Sequence, residues 1–262
     1  MQIYLKTPEE LAIMREAGRI VARAHEEMRK ALRPGISTWE LDRIAETVIR
    51  DHGATPAFLN YPKPDSPPFP ATINASINDE LVHGIPSKDR LVLEGDIISL
   101  DTGCHYQGFV GDAAYTWIVG DVSPAVKRLV ETTEGALYAA IEACVLPNTV
   151  KDVARATQNH AEKHGYSVAR EYTGHGVGRA MHEDPQVPNW WPKKKHKRLE
   201  AQNAPLRPGM TFAIEPMLIA GKPELMELED QWTVVTRDGS LCAHFEHTVA
   251  ITDDKPIILT LL

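Results

Sequence analysis

The chain has 262 residues, 43% of them hydrophobic and 24% charged, which is the make-up of an ordinary water-soluble globular protein with length enough for a large core. A net charge of −8 argues against strong non-specific attraction to nucleic acid, and opening residues without a basic start and apolar run argue against a secretory signal. No apolar stretch reaches the roughly 18 residues of a membrane span, and three cysteines (Cys104, Cys144, Cys242), none in a C-x-x-C pair, fit a reduced, cytoplasmic compartment.

The first predicted element is a helix. Thr7 can cap it, Pro8 suits its first position and Glu10 completes a capping box. Leu11, Met14, Ala17, Ile20 and Val21 then recur at the helical period, and Arg33-Pro34-Gly35 ends the run. Ser37 and Glu40 form a second capping box; Leu41, Ile44, Ala45, Val48 and Ile49 make one face, and Gly53 is a natural stop. Residues 56–70, rich in proline and aromatics, form a long, stiff loop of a kind that is often functional. Strands are expected near 71–76, 96–104 and 109–119. Ser123-Pro124 opens a third helix to about Ala143, ended by Leu146-Pro147-Asn148, and Thr149 and Asp152 cap a fourth to His164-Gly165.

The order helix, Pro-turn, helix, His-Gly, strands therefore occurs twice, about 112 residues apart. It divides one domain, 1–262, into halves of about 1–121 and 122–262, with a site between the lobes. The shared residues are few, so chance and duplication both stay open. Residues 189–207 stand apart, with two tryptophans beside a run of lysines and arginines. They read as a solvated surface loop or as a contact for RNA or an acidic partner.

Five residues carry the candidate chemistry. Apolar segments flank Asp101 and Asp112, and polar, glycine-containing residues lie between them, the pattern of a hairpin. Folding it about the Tyr106–Gln107 bond sets the two aspartates directly opposite each other. Like charges there repel unless a cation sits between them; alternatively, one is a turn or solvent-facing residue. His175 lies among glycines in Gly174-His175-Gly176-Val177-Gly178, which allow close approach of a ligand. His182 follows seven residues later. Glu215 ends an apolar strand, an expensive place for an unpaired carboxylate, and Glu246 sits in another strand-like run. Four carboxylates and a histidine are the inventory of an oxygen-rich dinuclear site, whose metals lie roughly 3.5–4 Å apart.

The order Asp101, Asp112, Gly174-His175-Gly176-x-Gly178, His182-Glu183-x-Pro185, Glu215-Pro216-Met217 and Glu246-His247-Thr248 resembles the methionine aminopeptidases, as does Asn78-Asp79-Glu80-Leu81-Val82-His83-Gly84-Ile85-Pro86. The resemblance spans nearly the whole chain and points to the type I, bacterial-style branch, since no long helical insert breaks the second half. It implies an α+β pita-bread fold: two pseudo-symmetric halves with a curved antiparallel sheet, flanked by helices, around two divalent metals. By motif, Asp101 would bind one metal, Asp112 and Glu246 would bridge both, and His175 and Glu215 would complete the second. Cobalt, manganese, iron and zinc all suit such ligands.

The implied activity is removal of the initiator methionine from nascent chains with a small second residue, by attack of metal-activated water. Glu215 would shuttle the proton, and His83 and His182 match the family's substrate-contacting histidines. Phe69, Met181 and Trp232 are the candidates for holding the methionine side chain. A cytoplasmic monomer without specific nucleic-acid binding is implied, with the 189–207 segment a possible ribosome-docking element. That segment is longer than expected for the compact bacterial form, and Asn74 stands where many relatives carry a cysteine. The competing readings are an X-Pro-specific peptidase of the same fold and a non-catalytic protein- or RNA-binding relative.

Overall fold

The computed structural model describes residues 1–194 and 196–262, so Lys195 of the basic run falls outside it. In chain order the elements are α1 (Pro8–Ala31), α2 (Thr38–Asp51), β1 (Thr55–Pro56), β2 (Ile73–Ile77), β3 (Glu80–Val82), β4 (Ile97–Tyr106) and β5 (Phe109–Ile118). Then follow α3 (Pro124–Glu142), α4 (Val150–Lys163), β6 (Ser167–Val168), β7 (Thr173–Gly176), β8 (Glu183–Pro188) and α5 (Lys197–Gln202). The chain closes with β9 (Thr211–Ile214), β10 (Met217–Ile219), β11 (Leu225–Glu227), β12 (Val234–Thr236), β13 (Cys242–His244), β14 (Glu246–Ala250) and β15 (Ile257–Ile258).

The helix starts lie where the caps predict them. Thr7 and Ser37 each accept from the backbone N–H three residues on, and Glu10 and Glu40 return the bond to the cap backbone. Asp152 accepts from both the backbone N–H and the hydroxyl of Thr149, at 2.8 Å each. Each cap can supply on the order of 1 kcal/mol by satisfying N–H groups that the helix cannot.

The main sheet has nine strands, with the path β1-β4-β5-β14-β9-β7-β8, β2 added on β4 and β15 on β14, and every pairing antiparallel. The apolar face of α1 and α2 packs with β2 and β4, burying Met28, Leu41, Ile49, Ile73 and Leu100. The face of α3 and α4 packs with β9 and β14, burying Leu129, Leu137, Val153, Phe212 and Val249.

Matching bonds recur in the two halves. Ser37 bridges Leu91 and Thr149 bridges Pro205. The Thr38 N–H donates to Arg90 and the Val150 N–H to Ala204. His52 and His164 cap α2 and α4, each ring Nδ1 meeting the carbonyl four residues back, at 2.7 and 2.8 Å.

The β4–β5 hairpin corrects one expectation. Its register pairs Asp101 with Ala114 and Gly103 with Asp112, so the aspartates are diagonal rather than directly opposed. The turn is centred on Gln107 and Gly108, both at positive φ (48° and 82°), as a two-residue hairpin loop requires. Glycine fits the second of these positions, which moves the turn one residue beyond the Tyr106–Gln107 bond. Because the pairing shifts by an even number of residues, both aspartates still share one face.

Residues 189–207 are not simply a solvated loop. Trp191 is buried with Ala154 and Leu199, joining this segment to α4 and α5. Gln202 on α5 accepts the backbone N–H of Gln186 at 3.1 Å, covering part of the open edge of β8. No helix among the described residues is long and apolar enough to cross a membrane.

Candidate metal centre

Five neighbouring strands of the main sheet deliver the five predicted ligands to one place. Asp101 comes from β4, Asp112 from β5, Glu246 from the start of β14, Glu215 from one residue beyond β9, and His175 from β7. Ala114 pairs with Asp101 on one side and with Glu246 on the other, so a small side chain separates the two acids across three strands. Donor atoms of Asp112, His175 and Glu246 lie within 4.8 Å of one another. His175 Nε2 is 3.5 Å from Glu215 Oε1 and 3.9 Å from Asp112 Oδ2.

The donors fit a divalent cation. Asp101 Oδ1, Asp112 Oδ1 and Glu246 Oε1 are buried and have no hydrogen-bond partner among the described residues. Burial lifts the carboxyls of Asp112, Glu215 and Glu246 well above the ordinary range, and repulsion from the neighbouring acids adds to it. Asp101 is lifted by burial to about 7, against a hydrogen bond from Asn74 that favours the anion. Such a cluster is costly without a counter-charge. His175 is driven by burial down to about 3 and is neutral. Its Nδ1 faces the Gly176 carbonyl at 2.9 Å, so Nδ1 carries the proton and the Nε2 lone pair is turned toward the acids.

A cavity of about 170 Å³ opens beside this cluster, and all ten predicted site residues line it. Phe69 and Trp232 meet edge to face at 5.1 Å, and Trp232 also meets the ring of His83 at 6.0 Å. The Trp232 indole N–H donates to the Pro67 carbonyl at 2.9 Å, pinning the proline-rich loop over the pocket. Met181 lines the same cavity but packs in another apolar cluster, with Met14, Val110 and Val177. His83 holds a left-handed φ of 62°, a strained conformation for a non-glycine residue, and burial drives its pKa down to about 4. His182 is exposed at the rim with its pKa lowered by desolvation, and its Nδ1 lies 2.6 Å from the Tyr61 hydroxyl.

Three contributors escaped the sequence reading. Tyr61 and Phe58 line the cavity from the 56–70 loop, which the sequence singles out only as a whole. His244 Nε2 is buried without a hydrogen-bond partner among the described residues, 3.8 Å from Glu215 Oε2. Its place two residues before Glu246 was the available signal.

The sequence profile of metallopeptidase family M24 matches residues 12–253. Methionine aminopeptidase 1 of Bacillus subtilis (strain 168) is 49% identical over 258 residues, covering 98% of this chain and 99% of its own. The chain belongs to family M24, on its methionine aminopeptidase branch. Methionine aminopeptidase of Escherichia coli (strain K12) is 40% identical, covering 100% of this chain and 95% of its own. The solved methionine aminopeptidase of Thermotoga maritima superposes with a TM-score of 0.92 at 41% identity, each chain covered in full. The Xaa-Pro dipeptidase of Bacillus anthracis reaches 0.74 at 23% identity, covering 98% of this chain but 61% of its own, and shares the fold alone. The M24 fold is the α+β pita-bread fold, and the family's members are metal-dependent hydrolases.

Proposed function

We propose that this protein removes the N-terminal methionine from nascent chains whose second residue is small. The observation that carries the reading is the juxtaposition of a buried carboxylate–histidine centre with an apolar Phe69–Trp232 pocket in one cavity of about 170 Å³. That volume lies below the ~300–1,000 Å³ usual for ligand pockets, which suits a single side chain. The full-length similarity to methionine aminopeptidases supports the same choice over an X-Pro enzyme.

Asp101, Asp112, His175, Glu215 and Glu246 would hold two divalent ions, with cobalt, manganese, iron and zinc all compatible with the donors. Bound there, the ions would supply Lewis acidity toward the peptide carbonyl and lower the pKa of water. The protein's own residues do the rest. Phe69 and Trp232 seat the methionine side chain, with Met181 on the cavity wall. His83 contacts the substrate backbone beside them. Glu215 takes up a proton and passes it to the leaving amine. With Nδ1 accepting from Tyr61, His182 carries its proton on Nε2 and can donate it toward the developing oxyanion.

The proposal extends to a monomeric, cytoplasmic enzyme that meets its substrates at the ribosome through the basic 189–207 segment. Deleting residues 193–198 and measuring co-sedimentation with ribosomes tests that part; unchanged association would remove it. The test of the activity is anaerobic purification with metal quantification, followed by parallel assays of Met-Ala-Ser and an X-Pro peptide. Methionine release from Met-Ala-Ser is expected, and preference for X-Pro would overturn the assignment.

A further inference from the structure

The 177–182 loop joins β7 to β8 and presents Met181 and His182 to the cavity. Glu183, the first residue of β8, turns its side chain back into this loop. Its Oε1 accepts the backbone N–H of Arg179 at 2.8 Å and of Ala180 at 3.2 Å. Its Oε2 accepts the ammonium of Lys6 at 2.5 Å, and both side chains are only 5% exposed.

Lys6 reaches this point from 177 residues away and is itself tethered. Its backbone N–H donates to the Gly209 carbonyl at 2.8 Å, just ahead of the strand that leads to Glu215. Its ammonium also donates to the Tyr4 carbonyl at 3.2 Å. The pair lies directly against the loop backbone at Gly178. A Cβ there would stand 2.4 Å from Lys6 Cε and 2.6 Å from Glu183 Oε1, so a larger residue would have to displace the pair.

A buried ion pair is weak evidence for stability, because apolar residues of the same volume often serve as well. What apolar residues cannot do is accept two backbone N–H groups two and three residues before His182. The pair fixes the backbone from which His182 projects, and the Lys6 ammonium sets an opposite charge 2.5 Å from the accepting carboxylate.

We propose that Glu183 and Lys6 are positioning residues that hold the 177–182 loop so that His182 meets the substrate carbonyl; this rests on the role given to His182 above. The test compares two variants without a buried charge, K6M/E183Q and K6M/E183A. The glutamine keeps an acceptor for both N–H groups and the alanine does not, while neither leaves an unpaired ion to unfold the protein. With equal metal content and equal folded fraction, K6M/E183A is expected to lose kcat on Met-Ala-Ser on the order of ten- to a hundredfold relative to K6M/E183Q. The same pair built on H182A should show no difference. Equal kcat for the two variants, or an equal drop in the H182A background, overturns the proposal. Full activity of H182A alone overturns the role of His182, and with it this inference.

Discussion

The side-chain amide of Asn74 donates to Oδ2 of Asp101 at 2.7 Å, while Oδ1 of the same carboxylate has no partner among the described residues. Asn74 pairs with Asp101 across β2 and β4, so the bond is set by strand register rather than by a flexible loop. It ties one carboxylate oxygen to β2 and so restricts how the side chain can turn. Partners of this kind typically govern metal affinity by ~10–100-fold when removed. Asn74→Ala is therefore expected to weaken divalent-metal binding by about that factor, read by calorimetric titration, with the circular dichroism spectrum unchanged. An unaltered affinity would show that Asp101 needs no such support.

Glu215 sits among Asp101, Asp112 and His175, and its carboxyl is raised by burial first and by the two aspartates next. Glu215→Gln preserves size while removing the basic oxygen. If Glu215 moves the proton, kcat on Met-Ala-Ser falls by about 10²–10⁴. Metal content measured on the same sample separates this loss from loss of a ligand. Full activity with full metal would end the proton-transfer role.

The raised acids also predict how metal binding depends on pH. Asp101 titrates at about 7 in the folded protein, above the roughly 3.9 of an exposed aspartate. Without metal, the folded protein keeps a proton here that the unfolded chain has lost. Its contribution to metal-free stability is therefore full below pH ~4 and disappears as pH rises through 7. A divalent cation replaces that proton, so affinity climbs as pH rises toward about 7. Titrations at pH 6 in two buffers of different ionisation enthalpy should reveal proton release. Metal binding at pH 6 without proton release would contradict the shift.

Helices and caps were legible in the sequence because they are local. Thr7–Glu10, Ser37–Glu40 and Thr149–Asp152 span three residues each, and the pattern and the structure agree. The candidate ligands were legible one at a time, but the reason they meet was not. It lies in the β4-β5-β14-β9-β7 order, which joins strands far apart in sequence. The hairpin turn was misplaced by one residue because the positive φ of Gln107 gives no signal of its own; only Gly108 does. Trp190, Trp191 and the basic run looked like one surface feature, yet Trp191 is core and Gln202 caps a sheet edge. The bridges Ser37–Leu91 and Thr149–Pro205 could not be read from composition at all. We propose on their account that 1–262 is one catalytic domain whose halves, about 1–121 and 122–262, arose by duplication.

The last prediction concerns the rest of the substrate. The metal-side cavity of about 170 Å³ holds little beyond one side chain, but His175 and His182 also line a second cavity of about 810 Å³. Tyr4, Leu5, Phe109 and Arg179 contribute to its walls, and Tyr4 and Leu5 are exposed there at 53% and 46%. The larger space falls within the ~300–1,000 Å³ range of ligand sites, and it shares His175 and His182 with the smaller one. Its charges face partners of opposite sign: Lys6 meets Glu183, Arg179 meets Glu10, and Asp184 lies 3.9 Å from the amino group of Met1. It should therefore favour longer peptides without sorting them by charge. KM is expected to fall several-fold when Met-Ala-Ser is extended by three residues, and to fall alike for glutamate-rich and lysine-rich extensions. Replacing Tyr4 and Leu5 by alanine should erase that gain and leave the tripeptide's KM as it was, because neither side chain lines the smaller cavity. A gain that survives the double replacement would place the outgoing chain elsewhere.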